Sequence, residues 1–493
     1  MRYFLFLFGL TFLALRQACM ADAPPNILLI VSEDNGPELG CYGDTSARTP
    51  HLDKLASEGV LFQRAFVPQA GCSQSRASFL TGLYPHQHGQ IGLATWGFRI
   101  YRSDIPNLPR SLKGAGYRTG LIGKLHVNPA SAFPFDSHKI ASANFQRSQL
   151  EQYAREAKDF FLDGDGPFFL SVNYPDAHKP WINRIGGLPK DLQTEDDVQV
   201  MPYMGITSDR LRELVAGHYN CMSRLDSLIG DLLIALDESG KMNDTIVIYI
   251  GDHGADMLRG KRTCYEGGLR IPMLIRWPGH IVPQIRSELV STIDLMPTLL
   301  KVAKAGAVSG LEGKDLTPLF KPGPVEWRDH YFAEYHTHAA APNYFPQRSV
   351  RSARFKLIEN LLPDTIHPDY EITIDKLHET YFEQTGKELD LRDLIANANP
   401  ITKAAYRLMR QPPRLLLYDL ENDPHEFKNL ANQSEYAVIQ EKLEKELEQW
   451  RAKTKDPLID PLKLQMLSKE VGSVKKKSVG KNFTWKYPEY LLK

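Results

Sequence analysis

The sequence predicts an α/β fold: a large mixed, mainly parallel sheet flanked by helices, followed by a smaller C-terminal α+β domain. Three observations carry this. Four short segments (26–31, 117–122, 168–173 and 245–250) are almost wholly apolar, as strands covered on both faces are. Helical patterns separate them, notably at 211–236. Each apolar segment also runs into a polar, titratable cluster, and wound sheets bind ligands at the carboxyl ends of their strands.

The chain has 493 residues, so more than one domain is expected, with boundaries at 24–326 and 327–493. Lys plus Arg equals Asp plus Glu at 59 each, which gives no case for a nucleic-acid or membrane-surface partner. Met1 and Arg2, an apolar run over 3–15 and small residues up to Ala23 match a secretory signal peptide covering 1–21. The run is too short for a membrane span. An exported protein follows: periplasmic or extracellular in a bacterium, lysosomal or secreted in a eukaryote. Cys41, Cys72, Cys221 and Cys264 remain in the mature chain, and spacing assigns no pairing among them. Asn243, Asn432 and Asn482 fit glycosylation acceptors in a eukaryotic host.

In chain order, the strand beginning at Asn26 ends in Ser32-Glu33-Asp34-Asn35-Gly36. Two adjacent carboxylates after a buried strand are costly unless a cation meets them. A helix starts at Pro50, with Leu52, Leu55 and Ala56 on its apolar face. The segment 71–82, GCSQSRASFLTG, sets Cys72 at a helix N-terminus, where free N–H groups favour an anion, and Arg76 adds a fixed charge one turn on. A helix over 108–115 closes at Gly116. The next three strands end in Lys124 and His126, in Asp176 and His178, and in Asp252 and His253. Gly254, Gly260 and Lys261 superficially suggest a phosphate loop. Their spacing is one residue too long, and Arg262 stands where Ser or Thr is required. A strand is expected over 271–277 and a helix from Asp294. Beyond Trp327 shorter strands are expected at 330–335, 349–358 and 415–420, then a polar turn over 419–426. A last helix carries Tyr436, Ile439, Leu443, Leu447 and Trp450 as a core stripe. The lysine-rich tail from Lys475 reads as solvated surface.

Taken together, Cys72-Ser73-Gln74-Ser75-Arg76, Thr81-Gly82, Gly123-Lys124, Gly251-Asp252-His253-Gly254 and Tyr265-Glu266-Gly267-Gly268 resemble the sulfatase family, which has the alkaline-phosphatase-like superfold. The resemblance runs from Asn26 to about Asp456. Within the family it is strongest to the heparan N-sulfatases, on 49–56, 123–126, 243–249, 347–350 and 418–430.

The resemblance implies that a formylglycine-generating enzyme oxidises Cys72 to formylglycine (3-oxoalanine), whose hydrate attacks sulfur. It implies one divalent cation, normally Ca2+, held by Glu33, Asp34, Asp252, His253 and the oxidised Cys72; carboxylate oxygens suit such a hard ion. Arg76 would hold the hydrate, Lys124 and Lys261 the sulfate oxygens. His126 would assist the hydrate, and His178, also touching substrate, would protonate the leaving group. Arg348 is expected to contact the sugar, with His336 and His338 as further candidates. The expected partner is a sulfated saccharide, favouring N-sulfoglucosamine of heparan-type chains; a homodimer is left open. Two positions depart from the family pattern: Gln74 stands where Pro or Ala is usual, and Glu33 where the first Asp is usual. Three alternatives stay open: an O-sulfatase for another sugar, a phosphomonoesterase or phosphodiesterase of the same superfold, and a non-catalytic binder of sulfated glycans with Cys72 unmodified.

Overall fold

A computed structural model describes residues 24–339 and 343–473. The expected signal peptide and the basic tail lie outside the described residues. The larger sheet has eight strands: β1 (Asn26–Ser32), β2 (Val60–Phe62), β3 (Arg118–Gly123), β4 (Ser137–Lys139), β5 (Phe168–Asn173), β6 (Thr245–Gly251), β7 (Met273–Arg276) and β8 (Gln284–Arg286). Their spatial order is β8-β2-β7-β6-β1-β5-β3-β4. The four apolar segments legible in the sequence are therefore neighbours, β6-β1-β5-β3, and they run parallel. β7 joins antiparallel to β6 and to β2, which makes the sheet mixed.

Burial explains the strand compositions. Ile27 through Val31 are fully buried, with parallel neighbours on both sides, as strands covered on both faces are. The helix Asp209–Glu238 buries most of its length and starts with Ser208 accepting from the backbone N–H of Leu211, an ordinary N-cap. Gly123 closes β3 with φ +87, and a Cβ there would lie 2.2 Å from the carbonyl oxygen of Asn173, so only glycine fits this turn into the site. Among the described residues no helix is long and apolar enough to cross a membrane.

The C-terminal part holds an antiparallel sheet of four strands, β9 (Tyr331–Tyr335), β10 (Gln347–Arg351), β11 (Phe355–Asn360) and β12 (Leu415–Asp419), in that order. The helix Ala437–Lys453 packs its stripe on this sheet, and Trp450 stacks on Phe332 at 5.2 Å. Two strand expectations need correction. The segment 349–358 is not one strand but the hairpin β10–β11, closed where Ser352 N–H donates to the carbonyl of Phe355 at 2.8 Å. The expected strand over 271–277 is split by Pro272, which cannot donate to a ladder. Arg270–Ile271 joins a separate three-stranded sheet, and Met273–Arg276 is β7. The helices Pro368–Thr385, Leu391–Asn397 and Pro400–Arg410, inserted between β11 and β12, were not among the expected elements.

Candidate active site

The parallel register decides where the polar clusters go. Ser32 lies opposite Gly251, while Val31 and Gly123 both lie opposite Asn173, so four adjacent strands end at one level. Glu33 and Asp34 leave β1, Lys124 and His126 leave β3, Asp176 and His178 leave β5, and Asp252 and His253 leave β6. A buried helix, α1 (Cys72–Thr81), points its N-terminus into the same space with Cys72 as its first residue. Asp34 and His126 hold left-handed backbone, φ +50 and +57, which costs free energy in a non-glycine residue and is tolerated where surroundings impose it. For Asp34 one such constraint is visible: its N–H donates to Asp252 Oδ1 at 3.0 Å.

The Cys72 sulfur lies 3.3 Å from His253 Nε2 and 4.0 Å from Asp34 Oδ1. One ligand atom each from Asp34, Cys72, Asp252 and His253 lies within 4.8 Å of the others. All four residues are buried. Two features fit this group to a cation. His253 Nδ1 faces the carbonyl of Gly254 at 2.9 Å; a carbonyl only accepts, so Nδ1 carries the hydrogen and Nε2 is left for the cluster. Burial alone lowers the His253 pKa, but Asp252 and then the Cys72 sulfur outweigh it and raise it to about 9, so the pocket draws positive charge. Glu33 stands apart from this group of four. Its two oxygens meet Arg76 at 2.7 Å and Lys124 at 2.6 Å, and it gathers instead with Asp34 and His178.

The cationic side chains are equally fixed. Arg76 donates to Asn173 Oδ1 at 2.7 Å and to the Lys124 carbonyl at 3.1 Å, and it also lies 3.2 Å from Asp252. Lys261 donates to both oxygens of Asp34 at 2.9 Å. Burial alone raises the Asp34 carboxyl pKa; Lys261, His178 and His253 outweigh it and hold it below the usual carboxylate range.

A cavity of about 350 Å³ opens above this floor, lined by Cys72, Lys124, His126 and His178 together with Phe145 and His338. His178 Nδ1 donates to the carbonyl of Lys179 at 2.6 Å, which turns Nε2 toward Asp34 at 3.9 Å. The Phe145 ring stacks on His178 at 3.9 Å. Burial first, then Lys261 and Lys124, lower the His178 pKa to about 4 against the pull of Asp34. Both nitrogens of His126 are buried without a partner among the described residues, and burial with Lys124 and Arg76 keeps that ring neutral.

The structure thus brings Cys72, Arg76, Lys124, His126, His178, Lys261, Glu33, Asp34, Asp252 and His253 to one place. Arg348 is different. It is fully buried away from the cavity, paired with Asp456 through two hydrogen bonds of 2.8 Å and bonded to the carbonyl of Gln347. Sugar contact does not fit that placement, because its donors are spent inside the protein. His336 is also buried and faces Glu334 at 3.5 Å; His338 does reach the cavity. Sequence reasoning passed over Asn173, Phe145, Arg147 and Arg224. Arg147 and Arg224 both clamp Asp176, at 3.0 and 2.8 Å, and Arg147 also donates to the backbone of Phe145 and His178. Nothing in their local pattern marks them: Arg147 sits in a loop without periodicity, and Arg224 is one polar residue within a long helix.

A family model described as Sulfatase matches residues 25–305, and one described as N-sulphoglucosamine sulphohydrolase, C-terminal, matches residues 251–389. Human N-sulphoglucosamine sulphohydrolase is 32% identical over 479 residues, covering 88% of this chain and 91% of the relative. An ulvan-active sulfatase of Formosa agariphila is 28% identical, covering 88% and 82%. Human arylsulfatase A is 29% identical, covering 85% of each. Among solved structures, a protein in complex with its substrate D-glucosamine-2-N,6-O-disulfate superposes with a TM-score of 0.64 at 20% identity, covering 88% of this chain and 98% of that one. The phosphonate monoester hydrolase of Agrobacterium radiobacter gives 0.65 at 20% identity, covering 87% and 96%. These two likenesses speak to fold. The family match over more than half the chain and the human relative speak to descent, and they agree with the cluster at the strand ends: this chain belongs to the sulfatase family and is a sulfatase.

Proposed function

We propose that this sulfatase is an exported, Ca2+-dependent enzyme that removes sulfate from sulfated saccharides, favouring N-sulfated glucosamine of heparan-type chains, with Cys72 oxidised to formylglycine as its nucleophile. The observation that carries this reading is the floor of the cavity. The Cys72 sulfur occupies the place the formylglycine hydrate would take, 3.3 Å from His253, with Lys124 and His178 lining the same space.

Asp34, Asp252, His253 and the oxidised Cys72 would hold the cation, with Glu33 beside them. A bound Ca2+ supplies charge stabilisation for the sulfate oxygens and the nucleophile. The remaining work falls to the chain's own side chains. Lys124, which lines the cavity, and Lys261, held beside it by Asp34, would bind sulfate oxygens and offset the charge that builds as the bond to sulfur breaks. Arg76, held by Glu33 and Asn173, keeps a positive charge one turn into α1 and orients the nucleophile. His126, neutral and unpartnered, is placed to take a proton from the hydrate. His178 presents Nε2 to the cavity and gives a proton to the departing nitrogen or oxygen. Its pKa of about 4 belongs to the substrate-free protein, and an anionic sulfate beside the ring draws that proton in.

The N-sulfate preference is supported by the human relative and by the C-terminal family match; the ulvan-active relative supports a second reading, an O-sulfatase for another glycan. Sulfate release from defined N-sulfated and O-sulfated saccharides, alongside sugar phosphates, tests both. The proposal expects N-sulfoglucosamine to be preferred by at least about tenfold in kcat/KM, a difference of about 1.4 kcal/mol. Preference for an O-sulfated sugar selects the second reading, and phosphate release without sulfate release contradicts both.

A further inference from the structure

Among the described residues, His338 is the one cavity-lining residue contributed by the C-terminal part of the chain; the others all precede residue 179. Its position does not depend on its side chain. The His338 carbonyl accepts from the Leu93 N–H at 2.9 Å. The carbonyl of Thr337 just before it accepts from Gln74 Nε2 at 2.7 Å and from Gln69 Nε2 at 3.3 Å. The segment is therefore tied through its backbone to the helix that carries Cys72. The residue is only 8% exposed, and its Nδ1 has no hydrogen-bond partner among the described residues. A buried polar atom left unpaired is destabilising, and a ligand group that pairs with it recovers the loss.

The charge environment narrows the class of that ligand group. Burial first, then Lys261, Arg262, Lys376 and His253, hold the His338 pKa well below its usual value. A neutral imidazole offers one N–H and one lone pair and brings no charge to an anion. On the reading above, Lys124 and Lys261 supply the cations for the sulfate. A group that both donates and accepts hydrogen bonds is the match for His338, and a sugar hydroxyl is such a group.

We propose that His338 is a specificity-determining residue that recognises a hydroxyl on the sugar bearing the scissile sulfate. This rests on the saccharide reading above. In the bound complex the hydroxyl pairs with the orphan ring nitrogen, and a substrate lacking it leaves that nitrogen unpaired.

The test uses the full-length matured enzyme, a sulfated sugar that the wild type turns over, and the monodeoxy analogues of that sugar. Three variants are compared: His338→Ala, His338→Phe, which keeps a ring without nitrogens, and His338→Gln, which restores a donor and an acceptor. On the parent sugar, Ala and Phe are expected to lower kcat/KM by about tenfold or more, chiefly through KM, and Gln to recover most of it. On one deoxy analogue, wild type and His338→Phe should agree within about twofold. Equal loss on every analogue, or no loss on the parent, overturns the proposal. If the wild type hydrolyses no sulfated sugar, the function proposed above fails; the same ratios are then read from calorimetric binding of N-sulfoglucosamine and its deoxy analogues, and they still decide the role of His338.

Discussion

Lys261 Nζ lies 2.9 Å from both carboxylate oxygens of Asp34. A side chain expected to grip sulfate thus holds one expected to grip a cation, and both are fully buried. On the function proposed above, a Ca2+ ion at Asp34 would compete with the ammonium and free it for an anion, so the two ligands should bind with positive coupling. Chelation should abolish sulfate release, and Ca2+ at about 100 times its Kd should restore it and stabilise the fold by about 2.7 kcal/mol. Lys261→Met should tighten Ca2+ binding while weakening inhibition by free sulfate. Calorimetric titration of both ligands, each with and without the other, measures the coupling.

His178→Ala should discriminate between leaving groups. General acid catalysis typically contributes about 10²–10⁴-fold, and most where the leaving group is basic. The variant should lose about that much kcat on an N-sulfated sugar and less than about tenfold on 4-nitrophenyl sulfate, whose phenolate departs without a proton. Steady-state kinetics on the two substrates reads the difference.

Arg348→Ala should act on stability. It leaves Asp456 with Arg451 at 2.8 Å but without its principal buried partner, and it strips Glu334 of a cation at 3.5 Å. Breaking a buried pair in this way costs about 3–5 kcal/mol. Chemical denaturation should show the loss, while the KM of the soluble variant for saccharide stays within about twofold of wild type, the opposite of a sugar contact.

Glu38 provides a pH signature. Burial first, then Asp44, raise its pKa from 4.5 to about 7, and its Oε2 has no hydrogen-bond partner among the described residues. The folded protein therefore holds this proton where the unfolded chain has released it. Stability from Glu38 is complete below pH about 4.5 and is lost as pH rises through about 7, a change on the order of 3 kcal/mol. Glu38→Gln should remove that loss, so the difference in melting temperature between wild type and variant should grow from pH 5 to pH 8.

Much of the site was legible because the strands are short, apolar and parallel: once β1, β3, β5 and β6 are neighbours, whatever follows each must share one edge. Cys72 and Arg76 were legible for a similar reason, since a helix N-terminus fixes what its first turn presents. What stayed hidden depends on distant partners. The hairpin between β10 and β11 turns on Ser352, Ala353 and Arg354, which carry no Gly, Pro or Asn signal. Arg348 has the local pattern of a site residue, and only Asp456, more than a hundred positions later, reveals it as a buried tie. Phe145 and Arg147 shape His178 from a loop whose spacing says nothing. The departure at Gln74 also acquires a structural role, because its amide clasps the segment that carries His338.

The most direct test of the account is the chemical state of residue 72 in protein that releases sulfate. Arg64 and Arg76 bracket a tryptic peptide spanning 65–76, and its mass distinguishes an aldehyde from a thiol. The account predicts that this peptide carries formylglycine at position 72 and that sulfate release scales with the converted fraction across preparations. An active preparation in which every Cys72 is still a thiol would contradict it.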